Sequence, residues 1–96
     1  MSEAEERELQ QIRNQIAFGL DMKVFMASPI GRYLAARANS DRDRALEELA
    51  TVDPHDPKAV QTLQNKIAVA ANFLTWVGEA VTDGENAEGV FIEASN

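Results

Sequence analysis

Seven apolar residues in the second half of this chain do most to limit what it can fold into. Val60, Leu63, Ile67, Ala70, Leu74, Val77 and Val81 follow one another at alternating intervals of three and four. Such spacing keeps side chains on one stripe of an α-helix, whereas a strand face recurs every second residue. Sustained over three heptads, the stripe is coiled-coil-like and has to be covered by another helix. Phe73 and Trp76 lie beside it and are expected to broaden the buried face. Asp56 is placed to cap this helix with Pro57 at its first position, and Gly84 after Asp83 is a natural C-cap. The spacing therefore predicts a helix over 57–83 and a tail over 84–96, whose Val90-Phe91-Ile92 cluster suits either a docked helical turn or an extended segment.

The remaining prolines divide the rest of the chain. Asp53-Pro54 and Asp56-Pro57 favour turns and extended geometry, and so end the preceding helix. Ser28-Pro29 marks a second boundary, since proline disfavours helical geometry in the residue before it but fits the first turn of a new helix. A helix over about 29–50 follows, with Ile30, Leu34, Ala38, Ala45 and Leu49 expected inward and Asn39-Ser40 as its weak point. Upstream, Ser2 and Glu5 form a capping box that opens a helix over about 2–27. Its expected inward stripe is Leu9, Ile12, Ile16, Leu20 and Val24, widened by Phe18, Met22, Phe25 and Met26. The expectation is an all-α, three-helix arrangement in one domain over residues 1–96, with a proline-marked corner between helices 1 and 2.

Composition excludes several classes of function. The 96 residues hold no cysteine, which removes disulfides, thiolate metal sites and cysteine nucleophiles. Sixteen acidic against nine basic residues give a net charge of −7, which repels phosphate backbones and anionic lipid. Direct nucleic-acid or membrane partners are not expected. The opening Met1-Ser2-Glu3-Ala4-Glu5-Glu6 is acidic where a secretory signal needs basic charge, so a cytoplasmic location is expected.

Candidate chemistry is sparse. His55 is the one histidine, and in Asp53-Pro54-His55-Asp56-Pro57 it superficially suggests a metal loop. Metal sites recruit several spaced ligands, however, and both aspartates have turn and cap roles here. No serine or cysteine stands in a recognisable relation to that histidine, so neither a catalytic nor a cofactor site is expected. Arg32, Arg37, Arg42 and Arg44 make helix 2 the most basic element, but Asp41 and Asp43 interleave with them and an ion-paired face is the simpler reading. Gly19, Gly31 and Gly78 inside helices suggest close helix packing, because each costs about 1 kcal/mol relative to alanine.

The stretches Ser28-Pro29-Ile30-Gly31-Arg32-Tyr33-Leu34, Ala50-Thr51-Val52-Asp53-Pro54, Leu63-Gln64-Asn65-Lys66-Ile67 and Phe73-Leu74-Thr75-Trp76 resemble small uncharacterised helical proteins of tailed bacteriophages, from among head-assembly genes. The resemblance spans roughly residues 16 to 88. It implies a bacterial host cytoplasm or virion setting and carries over no activity and no functional residue. Together with the apolar helix faces, it leads to a non-enzymatic protein–protein interaction module that self-associates as an assembly accessory. Candidate interface residues are Ile16, Leu20 and Phe25 on helix 1, with Leu63, Ile67, Leu74 and Val77 on helix 3. A different reading is a small acidic inhibitor that covers a basic, nucleic-acid-binding surface on a host enzyme or defence complex. Strong salt sensitivity of target binding distinguishes it from an apolar assembly.

Overall fold

The computed structural model describes residues 2–95, and those residues form three α-helices: α1 (Glu3–Ala27), α2 (Pro29–Thr51) and α3 (Pro57–Ser95). The expected all-α class and the proline-marked junction are both present. α1 opens as the capping box predicts, with the Ser2 hydroxyl accepting from the Glu5 amide at 3.2 Å and Glu3, Glu5 and Glu6 in the first turn. Ser28 is the single non-helical residue between α1 and α2, with extended backbone at φ −72° and ψ 159°. Its amide donates to the Val24 and Phe25 carbonyls, and its hydroxyl also donates to the Phe25 carbonyl. α2 passes through Asn39-Ser40 unbroken, and the Asn39 side-chain amide donates to the Ala35 carbonyl at 3.0 Å.

The turn before α3 uses its two aspartates as expected. Asp53 accepts from the His55 amide at 2.9 Å, and Asp56 accepts from the Ala59 amide at 3.1 Å as the N-cap. Beyond that cap the structure departs from the expected boundary. α3 does not stop at residue 83; it runs through Gly84 to Ser95, so the 84–96 tail is helical over its described length. Val90, Phe91 and Ile92 therefore lie on a regular helix. Gly84 does not terminate α3 because its missing side chain has a different use.

The chain divides into two compact units, one made of residues 1–28 and 77–96, the other of residues 29–76. In the first unit α1 packs on the second half of α3 through two glycines. A Cβ placed on Gly19 would lie 2.9 Å from the Gly84 Cα and 3.0 Å from the Ala80 carbonyl oxygen, and one on Gly84 would meet the Gly19 Cα and the Gln15 oxygen just as closely. No other residue type fits there without moving backbone. Lys23 and Glu85 flank the crossing with a 2.7 Å ion pair. Gly78 lies in open space, contrary to the close packing expected of it.

The glycine crossing sets the rotation of α1. The covered line is Leu9, Ile12, Ile16, Gly19, Met22 and Met26, while Leu20 and Val24, expected inward, are 51% and 71% exposed, and Phe18 and Phe25, expected to widen that stripe, are exposed as well. Leu20 sits about 100° round the helix from Gly19, so seating the glycine turns the leucine outward. The second unit, α2 against the first half of α3, follows the same rule with alanines. Its covered line on α2 is Gly31, Ala35, Ala38, Ala45 and Leu49. Ile30 is exposed and Leu34 lies at the edge, which corrects the expected stripe at those two positions. On α3 the predicted seam is the covered face from Val60 to Val81, and Gly84, Ala87 and Phe91 continue it.

Candidate functional site: a groove between helices 2 and 3

Small residues at the α2–α3 contact bring the two helices together but leave a trough along one side. In the second unit this groove has a volume of about 720 Å³. Its α2 wall is Leu34, Arg37, Asp41, Arg44 and Glu48, its α3 wall is Thr62, Asn65, Lys66, Val69 and Phe73, and Ala38, Ala45 and Ala70 form its floor. Asn65 apart, each wall is a single helical stripe. With Ile30 added, the α2 wall runs 30, 34, 37, 41, 44, 48, and the α3 wall with Trp76 runs 62, 66, 69, 73, 76, both at alternating intervals of four and three. These are the intervals a helix presents to a neighbouring helix, and within this unit no third helix faces either stripe.

The groove is apolar at one end and charged at the other. Val69 and Trp76 are 71% and 64% exposed, and Ile30, Tyr33 and Leu34 stand on the α2 side. Toward the other end Arg37 and Asp41 pair within α2 at 3.1 Å. The Tyr33 hydroxyl first, and then the Asp41 carboxylate, raise the pKa of the Arg37 guanidinium above its ordinary value. Arg42 meets Asp43 at 3.4 Å on a neighbouring stripe. The basic helix thus carries ion pairs, as its interleaved aspartates suggest.

The candidate interface residues separate by unit. Ile16, Leu20, Phe25 and Val77 lie in the first, and Leu63, Ile67 and Leu74 in the second. Leu63 is 6% exposed and belongs to its own chain's core, whereas Ile16, Ile67, Leu74 and Val77 are half-buried along helix contacts. Leu20 and Phe25 are the two that face outward. Trp76, expected on the buried face, is 64% exposed, whereas Phe73 is half-buried, and Val69 and the alternating charges of α2 are not among the expected residues. Their signal is a second heptad stripe on α3, one residue out of step with the first and masked by Thr62 and Lys66 at its start.

No group of three or more histidine, cysteine, aspartate or glutamate side chains placed to hold a metal ion occurs among the described residues. None of the described helices is long and apolar enough to cross a membrane. Comparison with protein-family models, curated proteins and solved structures found no match.

Proposed function

We propose that this chain is a non-enzymatic helical interaction module that works by associating with itself, and that it serves phage particle assembly as an accessory or adaptor. One observation carries the self-association. No large side chain among the described residues is fully buried, while twelve large apolar or aromatic ones are exposed, Phe18, Tyr33, Val69 and Trp76 among them. Each unit is two helices thick, so its core is one side chain deep. Scattered apolar residues on a surface are ordinary, but Ile30, Leu34, Val69 and Trp76 fall on the two heptad-spaced groove stripes, the spacing that helices present to one another. The phage setting rests on the resemblance of the stretches around Ser28-Pro29, Ala50 to Pro54, Leu63 to Ile67 and Phe73 to Trp76.

Light scattering of the purified protein at low and high salt tests the reading. The expected result is an oligomer whose mass does not fall as salt rises, because apolar burial is not screened. A monomer at both salts refutes self-association.

A further inference from the structure

We infer that the occupant of the α2–α3 groove is the same groove of a second copy, with the two α2 helices antiparallel about a two-fold axis that passes between Arg42 and Asp43. The inference rests on the self-association proposed above and adds the face, the direction and the register. Its basis is the order of charges along the α2 wall. Arg37, Asp41, Arg44 and Glu48 read plus, minus, plus, minus at intervals of four, three and four.

In a two-fold interface the same patch meets itself, so this row has to complement its own reverse. Antiparallel about the stated axis, Arg37 meets Glu48 of the partner subunit and Asp41 meets Arg44 of the partner subunit, and the two reciprocal pairs follow by symmetry. All four charges are then matched. A parallel, in-register arrangement sets arginine on arginine and aspartate on aspartate. Moving the antiparallel register by seven positions in either direction leaves two of the four charges opposite uncharged positions. Exposed pairs of this kind add little affinity, but like charges placed face to face oppose association strongly, so the row selects register while burial supplies adhesion. Leu34, Val69, Phe73 and the alanine floor are the apolar surface available for that burial, although in this register Leu34 lies opposite Thr51 of the partner subunit, so the apolar end of each groove covers the far end of the other. Lys66, the one charged residue on the α3 wall, leaves the groove one positive charge in excess.

The size is also suitable. From Ile30 to Glu48 the α2 wall is about 27 Å long, and a face two helices wide is about 20 Å across. That projects to roughly 500 Å² of rugged surface, the same order as the about 800 Å² of accessible area that each partner gives to a stable complex.

Two variants of the full chain test the register. Arg37→Glu with Arg44→Glu makes the row wholly acidic, and Asp41→Lys with Glu48→Lys makes it wholly basic. Each alone is expected to be helical by circular dichroism and to dimerise on the order of a hundredfold more weakly than the parent. Mixed in equal amounts they are expected to recover the parental mass as a heterodimer. Within one chain, Arg44→Glu is expected to weaken the dimer, and adding Asp41→Lys to restore it. Variants that still self-associate like the parent, a mixture that stays monomeric, or a failed rescue each overturn the assigned groove. A monomeric parent instead refutes self-association itself, so the two failures are distinguishable.

Discussion

The two halves of α3 are used in opposite ways. Its second half meets α1 at Gly84, where a bare backbone lies against the bare backbone at Gly19. Its first half meets α2 across alanines and Leu63, with longer side chains standing off at the sides. Where both helices contribute glycine, the backbones close on each other. Where alanine sets the spacing and Leu34, Val69 and Phe73 stand at the edges, a groove of about 720 Å³ remains. One unit therefore depends on the absence of side chains at a point. The other depends on burying the few it has, and a groove stays open along its side.

That contrast breaks most severely at Leu63, the most covered large side chain of the second unit at 6% exposure. Leu63→Ala should cost about 2–5 kcal/mol, the range for truncating a buried leucine, out of a total stability on the order of 5–15 kcal/mol. Chemical denaturation at fixed protein concentration measures it, since any dimer links stability to concentration. A loss below about 1 kcal/mol would mean that the second unit is not held by this seam.

The next largest effect is expected at the crossing. Gly84→Ala places a methyl 2.9 Å from the Gly19 Cα and 3.0 Å from the Gln15 oxygen, both backbone atoms that cannot swing aside. Overpacking of this kind costs about 1–3 kcal/mol, set against a gain of about 1 kcal/mol in helix propensity. The net expectation is a destabilised variant whose Tm falls by several degrees, at about 4–8 °C per kcal/mol for a domain of this size. An unchanged or raised Tm would show that the helices separate at the crossing without cost.

How much of this was legible in the sequence depends on which side chains carry the contact. The seam from Val60 to Val81 was readable because its residues are large, apolar and regularly spaced. So were the caps at Ser2 and Asp56, whose side chains have few other uses at those positions. The rotation of α1 was not, because hydropathy gives weight to Leu20 and Val24 and almost none to Gly19, although a glycine crossing outranks a leucine in fixing which face turns inward. The end of α3 was misplaced for a related reason. A glycine after an aspartate reads as a cap, and nothing local distinguishes a glycine that ends a helix from one that admits a neighbour. The groove is not legible in the sequence because its α3 stripe begins with Thr62 and Lys66 and its α2 stripe is mostly charged, so neither resembles an apolar seam until the two lie side by side.

The smallest effect sharpens the comparison most, because it uses the same substitution with the opposite sign. Gly78 is on the same helix as Gly84, six residues earlier, and a methyl there meets nothing within 4 Å. With no neighbour to displace, Gly78→Ala should act through the backbone alone, removing freedom from the unfolded chain and stabilising the fold by roughly 0.5–1 kcal/mol. Paired thermal melts of Gly78→Ala and Gly84→Ala, each against the parent, then separate the two roles of glycine on one helix. If both variants are stabilised, the Gly19–Gly84 contact does not constrain the fold and the rotation of α1 needs another cause. If Gly78→Ala alone gains, the difference between the two melts measures how closely α1 and α3 are held at their crossing.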